Sequence, residues 1–236
     1  MRIDKFISEC GIASRKEAAK AARAGLVTVD GVPVRDLSVH INPSEQSVVF
    51  QGRVLEYRRF TYVMLNKPEG YVSATEDSKL PVVTELLSPE LRRMELFPVG
   101  RLDRDTVGLM ILTNNGPLAH SVLSPKHHVS KEYLFECAEP LSVGTEEIFK
   151  EGVTLADGYE CKSAELLLED TRTRGVITLT EGKYHQIKRM IASQGNRVTF
   201  LERISFAGIG LDRSLARGEW RLLTDEEIKI LEAAAK

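Results

Sequence analysis

The sequence predicts an α+β protein in two parts: a small N-terminal α/β module, then a larger domain with a mostly antiparallel mixed sheet and flanking helices. Three observations lead there. Residues 1–59 hold ten Lys/Arg against seven Asp/Glu, whereas residues 60–236 hold 22 against 27, so the basic excess lies in the first quarter of a chain whose net charge is −2. That quarter reads as two helices followed by a hairpin. The remainder consists of short apolar or alternating runs bounded by Gly, Pro and Asn, with few helical patterns between them.

In chain order, the N-terminus is a charged helix rather than a signal peptide. Ser14 is an expected N-cap, Glu17 completes a capping box, and Gly25 ends the helix between them. Arg15, Lys16, Lys20 and Arg23 give this alanine-rich helix a basic face. Leu26–Val34 alternates apolar residues around Asp30-Gly31, as a short hairpin does. A last strand at Ser47–Phe50 and a charged linker around Glu56–Arg59 complete the module, so domains are expected at 1–59 and 60–236.

The second domain opens on the apolar strand Thr61–Asn66, which Lys67-Pro68-Glu69-Gly70 turns sharply. Gly100–Leu109 places Asp103 between Arg101 and Arg104 in a Gly-flanked loop, and Met110–Thr113 follows as a strand, with Asn114-Asn115-Gly116 expected as its closing turn. An alternating strand carries Tyr133. A strand at Gly175–Thr180 precedes a helix in which Ile187, Met190 and Ile191 share one apolar face and Gly195 is the stop. A short helix around Thr224–Ile228 closes the chain.

Composition narrows the class. At 42% hydrophobic and 28% charged, 236 residues can bury one large core plus a small appended module. No apolar run reaches membrane-spanning length. Cys10, Cys137 and Cys161 form no CxxC pair, which argues against a disulfide framework and a zinc site. His127 and His128 are adjacent with no third ligand nearby, so a loop or phosphate contact is favoured over a metal. The expectation is a cytoplasmic, monomeric protein with no membrane partner.

An aspartate in a glycine-flanked loop is ordinarily a turn-former. The wording of the whole segment says more. Gly-Arg-Leu-Asp-x-x-Thr-x-Gly-Leu at 100–109 resembles the catalytic motif of RNA pseudouridine synthases, and three other segments agree with it in order and spacing. Lys67-Pro68-Glu69-Gly70, about 35 residues earlier, is similar to the motif that buttresses the catalytic loop. Lys131-Glu132-Tyr133-Leu134 is similar to the strand whose tyrosine stacks on the target base. Lys183–Met190 resembles the last motif, in which a basic residue pairs with the aspartate and a branched apolar residue packs beside the base. Arg2–Phe6, Ser14-Arg15-Lys16 and Gly25–Gly31 look like the small RNA-binding domain named after ribosomal small-subunit protein four.

The resemblance implies conversion of uridine to pseudouridine in RNA, with no cofactor and no metal. It implies Asp103 as nucleophile or base, Lys188 (Arg189 second) as its cation, Tyr133 as stacking ring and Ile187 as apolar neighbour. Lys188 stands where many relatives carry arginine, a point charge in place of a bidentate fork. Arg101, His185 and Gln186 are implied to contact substrate, and Arg2, Arg15, Lys16 and Arg23 to contact RNA phosphates, which position rather than specify. The His-His pair and the Tyr-His-Gln run lean toward a uridine of 16S rRNA (the position-516-type site), or a small-subunit assembly intermediate, with 23S rRNA as the alternative. A ribosome-assembly protein that binds RNA without catalysis is the reading from another class. A metal-independent nucleoside hydrolase is third, having no use for the N-terminal module.

Overall fold

The computed structural model describes all 236 residues, which divide into two compact units: Met1–Thr61 with Leu87–Phe97, and Tyr62–Leu86 with Pro98–Lys236. In the first, helices α1 (Ile3–Glu9) and α2 (Arg15–Arg23) accompany a four-stranded antiparallel sheet. Its strands are β1 (Val27–Val29), β2 (Val32–Pro33), β3 (Val48–Phe50) and β4 (Arg53–Leu55), in the order β2-β1-β3-β4. Ser14 and Glu17 form the reciprocal capping box expected of them. Asp30 and Gly31 both take positive φ, 50° and 80°, the geometry a two-residue hairpin turn requires. Ile3, Phe6, Ile7, Ala18, Ala22, Val27 and Val48 are the most deeply buried part of the core.

Two features of this unit depart from the sequence reading. Strand β4, reached through a second tight turn at Gln51-Gly52, fills what was expected to be the approach to a linker. The segment Leu87–Phe97, with helix α3 (Pro89–Arg93) capped by Ser88, also belongs here. Arg93 donates to the Ile12 carbonyl at 2.8 Å, and a side chain at Gly11 would collide with the Glu90 carbonyl.

The second unit is built on a nine-stranded sheet. Its strands are β5 (Tyr62–Lys67), β7 (Val107–Thr113), β8 (Lys131–Cys137), β9 (Glu165–Leu168), β10 (Arg174–Leu179), β11 (Val198–Phe206) and β13 (Trp220–Leu222), with β6 (Phe97–Pro98) and β12 (Ile209–Gly210) as two-residue additions. The main path runs β13-β5-β7-β11-β8-β10-β9. β7 and β11 are parallel, and the other pairs along it are antiparallel. Helices α4 (Gly116–Leu123), α5 (Thr145–Glu151), α6 (Gln186–Ser193) and α7 (Asp225–Ala233) complete the unit. The fold is thus α+β with a mixed, mainly antiparallel sheet. Every residue of β5 and β7 is buried, which is why both read as continuous apolar runs.

One expected turn is a helix start. Asn114-Asn115-Gly116 closes β7, but Asn115 accepts from Leu118 N at 3.2 Å and N-caps α4, with Pro117 in the first turn. The Asn-Gly signal of a hairpin was overridden by Pro117, which is preorganised for a helix N-terminus. Gly108 has a different necessity. It faces Arg203 across the parallel seam at φ 99°, and a Cβ there would strike the Arg203 carbonyl.

Candidate active site

The loop carrying Asp103 is fastened from below. Lys67, fully buried at the end of β5, donates from Nζ to the carbonyls of Pro68 (3.1 Å), Asp103 (3.1 Å), Arg104 (3.2 Å) and Thr106 (2.8 Å). Ser73 clamps the preceding residue, donating to Leu102 O at 2.8 Å and accepting from Leu102 N at 3.0 Å. Gly70 N donates to Arg104 O at 2.9 Å. The Lys-Pro-x-Gly turn therefore does support the loop, and its lysine is the main contact. Burial pulls the Lys67 pKa down to about 8, against the opposing charges of Asp105 and Asp103.

Helix α6 supplies the facing wall. Lys188 Nζ is 3.1 Å from Asp103 Oδ2 and 2.6 Å from Asp105 Oδ1. Burial works against the charge on Lys188, but its bonds to Asp105 and Asp103 prevail and raise its pKa. For Asp105 burial likewise opposes the charge, and Lys188 prevails and lowers the pKa. His185 Nε2 lies 3.5 Å from Asp103 Oδ1, from a residue in the left-handed region (φ 49°, ψ 34°) at the helix N-cap. Arg189 faces elsewhere, bonded to Asp157 at 2.5 Å and near Tyr184 O at 3.4 Å. Of the two cations considered for Asp103, geometry selects Lys188.

Asp103, Lys188, His185, Tyr133, Ile187 and Arg101 line one pocket that opens to solvent. Tyr133, 8% exposed, projects from the middle of β8, opposite Ile177 on β10 and Arg203 on β11. Ile187 is 5% exposed on the inner face of α6. Arg101 is exposed at the rim. Gln186 also lines the pocket, but both ends of its amide are held within the protein. Its Nε2 donates to Glu181 at 2.6 Å and its Oε1 accepts from Lys183 N at 2.9 Å. That makes it a brace of the 181–186 loop rather than a free ligand contact. Glu181 organises the same loop, accepting also from the Tyr159 hydroxyl (2.8 Å) and Lys162 N (2.9 Å).

Arg15, Lys16 and Arg23 are exposed on α2, and Lys20 shares their exposure. Arg2 is engaged with Asp4 at 2.9 Å while its side chain stays 51% exposed. His127 is 3.5 Å from the Ser121 hydroxyl, and His128 Nδ1 is 3.0 Å from Lys162 Nζ. No group of three or more His, Cys, Asp or Glu is arranged to hold a metal ion, and no helix is long and apolar enough to cross a membrane. Ser73 and Glu181 were not singled out by sequence. Nothing in their local wording marks them, because Ser73 acts on Leu102, 29 positions away, and Glu181 ties its own loop to Tyr159 and Lys162, 22 and 19 positions earlier.

Comparison with known proteins gives concordant results. Residues 61–193 match the RNA pseudouridylate synthase family, and residues 1–47 match the S4 domain. The chain is 44% identical to the ribosomal small subunit pseudouridine synthase A of Yersinia pestis, over 97% of each chain. It is 41% identical to the Escherichia coli (strain K12) protein of the same name, over 97% of this chain and 98% of that one. An uncharacterised RNA pseudouridine synthase of Bacillus subtilis is 44% identical over 98% of each. A crystal structure described as a pseudouridylate synthase aligns with TM-score 0.69 and 37% identity, covering 98% of this chain and 99% of that one.

Proposed function

The chain belongs to the RNA pseudouridylate synthase family and carries an S4 domain, and from that premise we propose that it isomerises one uridine of 16S rRNA, at the position-516-type site. It is an rRNA pseudouridine synthase by family and by its relatives. The single observation carrying the site assignment is the convergence of Asp103, Lys188, Tyr133 and Ile187 on one pocket.

The reaction breaks the N1–C1′ bond of uridine and makes a C5–C1′ bond. One proton leaves C5 and one reaches N1, so substrate and product are isomers. This chemistry asks for a carboxylate at the sugar–base junction and a surface that retains the freed base. In this assignment Asp103 supplies the carboxylate, and its loop is held by Lys67 and Ser73 so that its position does not drift. Lys188 balances the charge of both Asp103 and Asp105. Tyr133 offers a π-face to a base taken out of its own stack, and Ile187 closes the apolar side.

The exposed cations Arg15, Lys16 and Arg23 of the first unit fit contacts to RNA phosphates, which confer salt-dependent affinity. The choice of 16S over 23S rRNA is supported by the small-subunit names of the relatives and by the Tyr184-His185-Gln186 run. A cytoplasmic monomer is the working form. The test is to incubate the purified protein with unmodified 16S and 23S transcripts, free and protein-bound, and to map pseudouridine in each. Modification confined to 23S rRNA overturns the target. Binding without modification of either overturns the catalytic reading.

A further inference from the structure

Tyr184 is 76% exposed, an unusual state for a large aromatic residue two positions from a buried segment of an active-site wall. One of its faces is occupied. It stacks on the His185 ring with centroids 3.8 Å apart and planes inclined by 17°. His185 in turn lines the pocket and places Nε2 3.5 Å from Asp103. Tyr184 is not itself a lining residue. The three groups thus form a column, Asp103–His185–Tyr184, that leads from the pocket to its outside and ends in an open aromatic face.

The column is held rigidly. His185 keeps a left-handed backbone, which for a residue other than glycine persists only when its surroundings over-determine it. Those constraints are present: Gln186 is tied to Glu181 and to Lys183 N, Arg189 N donates to His185 O at 2.9 Å, and Arg189 is itself anchored on Asp157. Two exposed cations lie in this loop region, beside the carboxylates of Glu181 and Asp157. Lys183 lies 4.7 Å over the Tyr159 ring, and Lys162, paired with His128, is exposed.

We propose that the open face of Tyr184 is a stacking platform for the nucleobase adjacent to the target uridine, which makes Tyr184 a positioning residue for the RNA. The inference rests on reading the pocket as a uridine-isomerising site. When a uridine leaves its stack, each neighbour loses one stacking partner, and an aromatic face near the pocket replaces it. Tyr133 is buried inside the pocket and serves the target base, so the two tyrosines address different nucleotides. Lys162 and Lys183 supply the positive charge that a strand passing this rim requires. Any base has a π-face, so the platform fixes the strand's path without reading its sequence.

The test compares pseudouridine formation by the wild type, Tyr184→Ala and Tyr184→Trp on the rRNA substrate the wild type accepts. The same substrate is also prepared with an abasic nucleotide on either side of the target. Tyr184→Ala is expected to lower kcat/KM by ~5- to 150-fold, mainly through KM, and Tyr184→Trp to restore it. One flanking abasic position should lower wild-type kcat/KM to a similar extent yet have no further effect in Tyr184→Ala. Unchanged thermal unfolding of both variants would separate this loss from misfolding. Equal kcat/KM for wild type and Tyr184→Ala, or additive losses from variant and abasic site at both positions, overturns the platform while leaving the pocket assignment intact. Absence of pseudouridine with the wild type on every rRNA overturns the pocket assignment itself.

Discussion

Lys67 reaches Asp103 through its main chain and not its carboxylate: Nζ donates to the Asp103 carbonyl at 3.1 Å, while the carboxylate is met by Lys188 from another element. The two lysines therefore divide the work. One sets where the loop runs, and the other sets the electrostatic surroundings of the side chain.

Lys67→Met should leave four carbonyls short of a buried donor and destabilise the protein by on the order of 1–3 kcal/mol, with turnover falling more than RNA binding. The pH dependence has a defined sign. The folded pKa of about 8 lies below the ordinary 10.5, so between those values the folded chain holds fewer protons than the unfolded one. Stability from this group then rises as pH climbs from about 8 toward 10.5. Urea midpoints of wild type and variant across that range should diverge with increasing pH, and a constant difference would refute the assignment.

Asp103→Asn keeps the shape and deletes the charge. Turnover should fall by on the order of 10³-fold or more, with binding to rRNA nearly intact. Asp105 holds Lys188 more closely than Asp103 does, at 2.6 Å against 3.1 Å, but its side chain is 61% exposed and does not line the pocket, and Asp105→Asn should be mild. Single-turnover assays on both variants check this, and near-normal turnover of Asp103→Asn would remove it from the chemistry.

Tyr133→Phe should retain more activity than Tyr133→Ala, because a stacking ring is worth about 1–3 kcal/mol per base and needs no hydroxyl. Equal losses would transfer the role from the ring to the hydroxyl.

Replacing Arg15, Lys16 and Arg23 together by Gln should weaken rRNA binding and flatten its salt dependence. Each cation–phosphate pairing that the substitution removes lowers the log–log slope by roughly 0.7–0.9. Binding titrations at several salt concentrations measure this, and an unchanged slope would show that α2 does not touch the RNA backbone. Substitution is preferable to removing residues 1–59, because Leu87–Phe97 packs within the same unit and would be stripped of its neighbours.

All three cysteines are buried and free. Burial raises the thiol pKa of Cys10 to about 11 and of Cys137 to about 11, and raises that of Cys161. The native protein should therefore resist iodoacetamide at pH 8 and take up the label at three sites once unfolded in urea. Rapid labelling of the native chain would contradict this burial.

Features fixed by neighbours in the chain were legible. The Ser14–Glu17 cap, the Asp30-Gly31 turn and the apolar face of Ile187, Met190 and Ile191 each depend on residues within one or two turns. The Asp103 loop was recognisable because its wording is a motif. What escaped was set by residues far apart. Ser73 acts 29 positions away, on Leu102. The parallel seam of β7 with β11 joins Val107 to Glu202. Motif position ranked Lys188 ahead of Arg189, but no local pattern showed which of them faces Asp103. The distinction came from the direction each faces on α6, toward Asp103 or toward Asp157.

The order in which the wall pieces leave the ribosome follows from that long-range seam. Asp103 and its supporting Lys67 belong to the first half of the chain, whereas Lys188 and β11 are among its last 49 residues. At about 5–20 residues per second, the carboxylate is synthesised several seconds before its cation and before the strand that lies parallel to β7. A nascent or prematurely terminated chain therefore contains the Asp103 loop but only one side of the pocket until α6 and β11 have been added.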